Sequence, residues 1–252
     1  MGTSNPKTPE VLWHYTSMDG FLGIWTSRAL WASHLSFLND ASENRRLKEL
    51  LLPLLLAAGD REYAAFNAWM ASLKVKNQAA MDLFTPIFKQ RFGELLETVK
   101  DAVRTYSQSE IFVTCFSEAA DSLSQWRAYG SAYAIGFDPE SLLSMRDMTS
   151  EDTHAGNPAG MPFFDSVKYV SETDHHTLNG ILNSAIWNLY TITTTAMYGV
   201  INAVAPFIKD AAFESEKEWR LCCRTPVFDE PVMFRAARSH IVPYIQIPLE
   251  LR

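Results

Sequence analysis

The stretch FESEKEWRLCC, residues 213–223, sets three glutamates around a lysine ahead of a Trp-Arg-Leu-Cys-Cys run that reads as a β-strand. Strand side chains alternate faces, so Trp219, Leu221 and Cys223 point one way and Glu216, Glu218, Arg220 and Cys222 the other. The first set reads as core. The second puts two carboxylates and a guanidinium at the mouth of a strand, either as its solvated opening or as the acidic end of an active site.

Outward from this strand, aromatic and β-branched runs predict further strands at residues 11–15, 30–33, 111–118, 132–138, 164–170, 232–234 and 241–247. Helices are expected over 18–27 and through SLSQWRAY, residues 122–129. Thr16 or Ser17 would cap the first, with Asp19 closing a capping box from Thr16. Residues 34–43, HLSFLNDASE, carry turn-forming Ser, Asn and Asp and read as a loop. Residues 43–106 read as helical, with Pro53 and Pro86 as breaks, and a second helical block covers 175–209. Strands separated by helical blocks, without regular βαβ alternation, predict an α+β fold in one domain over residues 1–252.

The 252 residues, 47% of them hydrophobic, are enough to bury a sizeable core. A net charge of −7 argues against a broad basic face for duplex nucleic acid. Cys115, Cys222 and Cys223 fall in apolar strands without C-x-x-C spacing, as reduced buried thiols do. The first ten residues, MGTSNPKTPE, are polar, so a cytoplasmic protein is expected. Residues 180–208 hold no charge and are long enough to span a bilayer, but their Asn and Thr content and helical spacing favour a buried helix over a membrane segment.

Two constellations offer chemistry. His14, Tyr15, Thr16 and Ser17 lead from a strand into a helix start, where free backbone donors suit polar ligand groups; the plainer alternative is a helix cap beside a core histidine. Ser122, Gln125, Trp126 and Tyr129 fall on one helical face, as the wall of a pocket for a planar ligand or as an amphipathic helix packed on the sheet. Asp174, His175 and His176 resemble a metal cluster only in composition, and no metal is expected. Walker, G-x-S-x-G and G-x-G-x-x-G motifs are absent from the sequence.

HYTS before a helix, FLND-x-S-E, CFSE, SLSQWRAYG, Y-x-IGFD, EKEWRL and PYIQIPL together resemble the bacterial family of domain of unknown function 2971. The resemblance runs from Leu12 to Leu249, and the layout is similar to the ADP-ribosyltransferase superfamily, including the DNA-modifying DarT toxins. It implies a split β-sheet core with large helical insertions and an enzyme using NAD. His14 and Thr16 would then hold a ribose, and Glu218 would assist transfer, with Glu216 as the alternative carrier. Tyr15 stands where poly-ADP-ribose-type enzymes have glycine, and Tyr129, Trp126 or Tyr133 would stack on nicotinamide. Asn39 and Asp40 would shape the cofactor loop, Ser122 would line the pocket, and Arg127 or Arg220 would meet the pyrophosphate.

The function implied is transfer of ADP-ribose to a nucleic acid or protein, in the manner of a bacterial toxin or phage-defence effector, with an antitoxin or regulatory protein as a further partner and no membrane. NAD hydrolysis without transfer, and a non-catalytic nucleotide- or protein-binding module, are the alternatives.

Overall fold

The computed structural model describes residues 9–38, 111–129, 133–147, 163–171, 204–224, 231–237 and 240–249, with isolated positions between 64 and 104. It divides into two compact units. The first comprises Met1–Ala41, Glu110–Tyr169 and Pro206–Arg252; the second gathers Ser42–Ser109 and Val170–Ala205, the segments read from sequence as two separate helical insertions.

In chain order, the first unit begins with β1 (Leu12–Thr16), α1 (Met18–Ser27), β2 (Ala29–His34), β3 (Ile111–Ser117), α2 (Leu123–Tyr129), β4 (Tyr133–Phe137) and α3 (Pro139–Asp147). The chain continues through β5 (Phe163–Ser166), β6 (Lys168–Val170, at the boundary of the two units), β7 (Ile208–Asp210), β8 (Glu218–Arg224), β9 (Met233–Ala236) and β10 (Ile241–Pro248). Helices and a mostly antiparallel sheet make this an α+β structure. Eight strands form one sheet in the order β4-β1-β3-β2-β10-β9, with β8 also on β3 and β5 on β8; β6 and β7 pair separately.

The sheet branches at β3. One edge of β3 pairs with β8 along its full length, from Ile111↔Arg224 to Ser117↔Glu218. The other edge is shared: β1 meets it at Trp13↔Ser117, and β2 at Ser33↔Val113 and His34↔Phe112. Between those registers, Thr114, Cys115 and Phe116 face a gap. Helix α1 joins the two branches, because its Phe21 ring stacks on Tyr133 of β4 at 4.8 Å and Gly23 lies against the Trp31 indole of β2. A Cβ at Gly23 would overlap that indole, so a glycine is needed for the close approach.

Sequence accounts for several boundaries. Ser17, not Thr16, caps α1 and accepts from the Gly20 N–H at 3.2 Å. Asp138 caps α3, accepting from the Ser141 N–H at 3.1 Å, with Pro139 in the first turn. This D-P-E-S signal is local to the chain. The core joins Leu12, Phe112, Phe116, Phe164, Trp219, Leu221, Cys223, Ile245 and Ile247 with Ile24 of α1 and Leu142 of α3.

Two expectations are corrected. The strand expected over 164–170 is two strands, broken at Val167, whose N–H instead donates to the Glu218 carbonyl at 2.8 Å. The uncharged helix does not continue to Ile208. A 3-10 turn at Ala205–Phe207 leads into β7, because Pro206 has no N–H to continue a helix and its carbonyl accepts from Arg220 Nη1 at 2.6 Å. The earlier part of that segment lies outside the described residues. Among the described residues no helix is long and apolar enough to cross a membrane.

Candidate functional site

The acids of the opening stretch divide between two elements. Glu216 ends a 3-10 helix, Ala211–Glu216, and Lys217 then takes a left-handed conformation with φ 45° that turns the chain into β8. Glu218 begins β8 and is 5% exposed, so it is not a solvated strand opening. Its Oε1 accepts from Arg220 Nε at 2.8 Å, and its Oε2 from Arg220 Nη2 at 3.0 Å and Lys209 Nζ at 3.1 Å. Lys209 also donates to Glu216 Oε2 at 2.7 Å and lies over the Phe213 ring. The Glu218 N–H donates to the Tyr169 hydroxyl at 2.7 Å.

Burial pushes the Glu218 carboxyl upward, but Arg220 and Lys209 outweigh it and hold the group at about 2. Burial and the neighbouring carboxylate raise the Cys115 thiol well above its ordinary value. The result is an ionised carboxylate clamped by two cations, with both oxygens engaged. Arg220, 2% exposed, belongs to this clamp and is turned to Glu218 and Pro206, which leaves it no exposed face for a pyrophosphate.

His14 is placed differently. Trp13, Ser117 and Glu218 share a face by register, so His14 turns to the other side. There its ring packs on Phe116 at 5.8 Å, and its Nδ1 lies 2.8 Å from the Cys115 carbonyl oxygen. That carbonyl belongs to the stretch of β3 that neither β1 nor β2 pairs. The imidazole therefore stands in for a missing strand partner. Burial lowers the pKa of His14, the bond to Cys115 opposes that, and the charge of Arg235 lowers it further. A neutral ring whose Nδ1–H donates to Cys115 leaves Nε2 as an acceptor. The ring is half-buried, and no bond engages Nε2 among the described residues.

Tyr15 is a clamp. Its hydroxyl donates to the Ala119 carbonyl at 2.6 Å and accepts from the Ser122 N–H at 3.0 Å, fixing the loop that leads into α2. Trp126 meets Tyr15 edge-on at 4.7 Å and donates its indole N–H to Asp121 at 2.7 Å. Of the expected pocket wall, Trp126 thus packs on the sheet, Ser122 bonds the Ser124 hydroxyl, Gln125 is buried and Arg127 is exposed. Thr16 is buried beside Gly20. Asn39, Asp40, the Tyr129 side chain and the Asp174-His175-His176 run lie outside the described residues.

The structure brings Glu216, Glu218 and Arg220 together, and separately His14 and Thr16 on β1. It does not place His14 in contact with Glu218. Cys115 links the two sites: its main chain meets the histidine, and its thiol lies against the carboxylate. Sequence reasoning missed Lys209, which lay within a segment read as helix, and Arg235, which no motif marks.

Among the described residues, no group of three or more His, Cys, Asp or Glu side chains is arranged to hold a metal ion. Neither the curated proteins nor the solved structures yield a match. The family model described as protein of unknown function (DUF2971) matches residues 125–221, a span that runs from Gln125 of α2 to Leu221 of β8 and includes Glu216, Glu218 and Arg220. This match supports the resemblance of the chain to that family.

Proposed function

We propose that the protein is an ADP-ribosyltransferase-like, NAD-binding protein that holds the dinucleotide at the branch of its sheet and transfers ADP-ribose to a nucleic acid or protein. The observation that supports this reading is the His14 ring, held in one tautomer by the Cys115 carbonyl with an acceptor nitrogen left open. Such a nitrogen suits a ribose hydroxyl. The resemblance of the sequence supplies the rest. Cleaving the nicotinamide–ribose bond develops positive charge on the sugar, which a nearby carboxylate stabilises while an acceptor nucleophile forms the new glycosidic bond.

Glu218 lies on the face of the sheet opposite His14 and is closed by Arg220 and Lys209, so it can serve as that carboxylate only if the dinucleotide reaches across the gap in the sheet and displaces those cations. That closed clamp favours a second reading, a nucleotide-binding module without transfer. Incubation with adenine-labelled NAD, followed by separation of RNA, DNA and protein, tests both. Label retained in one fraction, and lost in both His14→Ala and Glu218→Gln, supports the transferase. Saturable NAD binding that depends on His14, with no label transferred and no NAD consumed, supports the module. Neither binding nor transfer refutes the nucleotide reading altogether.

A further inference from the structure

We propose that the outer side of helix α1 is a self-association surface: two copies of the chain pack α1 against α1, antiparallel about a twofold axis, in a weak homodimer. The inference is independent of the nucleotide reading above.

Helix α1 is apolar on two sides. Its inner side sets Ile24 in the core and Gly23 against the Trp31 indole. On its outer side Met18, Leu22 and Trp25 recur at i, i+4 and i+7, one stripe of a helix, and are 56%, 50% and 73% exposed. A single exposed apolar side chain is ordinary, whereas three along one stripe form a patch that marks an interaction surface.

The patch is held in place. The Trp25 ring stacks on Phe21 at 6.4 Å and Phe21 on the exposed Tyr133 of β4 at 4.8 Å, each pair 17° from parallel. The hydroxyls beside it are spent within the helix: Thr26 Oγ1 donates to the Leu22 carbonyl at 2.7 Å, Ser27 Oγ to the Gly23 carbonyl at 2.7 Å, and Ser17 Oγ accepts from the Gly20 N–H at 3.2 Å. An ordered ring whose polar neighbours are already bonded gives up little on docking, which suits Trp25 to anchor an interface.

Charge selects the partner. Asp19 in the first turn and Arg28 at the C-cap are exposed, and neither side chain makes a hydrogen bond or ion pair among the described residues. In an antiparallel pair whose axis passes midway between Leu22 and Trp25, Leu22 meets the partner's Trp25 and Asp19 meets the partner's Arg28. The twofold axis repeats both contacts, and the helix dipoles oppose. A second copy of this chain is therefore complementary to the patch in both apolar stripe and charge.

Area sets the strength. Taking about 150–250 Å² for a whole large side chain, the stripe and Tyr133 leave on the order of 400 Å² to cover on each copy. Two copies, with the flanking Asp19, Phe21, Thr26 and Arg28, reach about 1,000 Å², the lower bound of a specific interface, so the dimer is weak and concentration-dependent.

The test is sedimentation velocity of the full chain from about 1 μM to 1 mM, on wild type, Trp25→Ala, Leu22→Gln, Asp19→Lys and Arg28→Glu. Wild type should pass from monomer to dimer within that range. Trp25→Ala should weaken dimerisation at least about 10-fold, and Leu22→Gln should weaken it in the same direction. Asp19→Lys and Arg28→Glu each set like charges together at both ends of the helix pair, and each alone should weaken the dimer. Mixed in equal amounts, these two variants should dimerise with each other at about the wild-type affinity, because the new lysine meets the new glutamate at one end and Asp19 meets Arg28 at the other.

All four positions are exposed, so circular dichroism should show the wild-type fold in each variant. A wild type still monomeric at about 1 mM overturns the homodimer and leaves the patch to a different protein. A dimer that folded Trp25→Ala and Leu22→Gln leave unchanged overturns it equally, and if Trp25→Ala does not fold, Leu22→Gln decides. A mixture of the two charge variants that dimerises no more tightly than either alone overturns the antiparallel pairing of α1.

Discussion

His14 Nδ1 and the main-chain oxygen of Cys115 are 2.8 Å apart, across the stretch of β3 where β1 has ceased to pair and β2 has not begun. A side chain completes the hydrogen bonding of an interior strand edge, and that same bond decides which ring nitrogen faces the gap.

The tautomer is therefore fixed, and burial together with Arg235 lowers the pKa of the ring. Nitrogen-15 NMR should show the Nδ1–H form of His14 near neutral pH, with a midpoint below 6.5. The unfolded chain binds the proton more readily, so this group's contribution to stability is complete above about 6.5 and declines as pH falls below it. A midpoint above 6.5 would contradict the assignment.

Glu218 has the opposite charge type but the same sign of pH dependence. Its carboxyl is held at about 2 against an ordinary 4.5, so its stabilisation is present above 4.5 and is lost as pH falls through 2. Glu218→Gln leaves Lys209 and Arg220 with an uncompensated charge in a buried site and should cost about 3–5 kcal/mol. It should also flatten the acid limb of the stability curve measured by urea unfolding. An acid limb unchanged from wild type would place that titration elsewhere.

Tyr15→Phe removes a hydroxyl that ties the Ala119 carbonyl and the Ser122 N–H. The expected loss is about 1–3 kcal/mol, with faster amide exchange confined to residues near 119–126. If Tyr15 instead touches a ligand, affinity will change while exchange in that loop stays as in wild type.

Gly23→Ala tests how α1 bridges the branches. The added methyl meets the Trp31 indole, which is flanked by Tyr244, so the helix must shift. Overpacking of this kind costs about 1–3 kcal/mol. The shift should appear as altered Trp31 fluorescence and a lower melting temperature, whereas a neutral or stabilising outcome would show that the contact is loose.

Much of the framework was legible in the chain. Ser17 before an apolar helical run, the alternating Trp219-Leu221-Cys223 set and the β-branched and aromatic run at Ile111 each carry a local period that burial enforces. The sequence also determined that Glu218, Arg220 and Cys222 share a face, since alternation is a property of the strand itself. What it did not contain was the fate of that face. A carboxylate at a strand start is solvated or buried according to what lies over it, and only the folded chain sets Lys209 and Pro206, 9 and 14 residues before their partners, onto Glu218 and Arg220.

The same division applies to His14. Its place near the end of a strand was readable, but its bond crosses 101 residues to Cys115, and its electrostatic neighbour Arg235 lies on a strand formed still later in the chain. Local sequence fixes periodicity and caps because those depend on neighbours a few bonds away. Register, branching and the company kept by a charge depend on which distant strands meet, and here that was decided by the shared edge of β3.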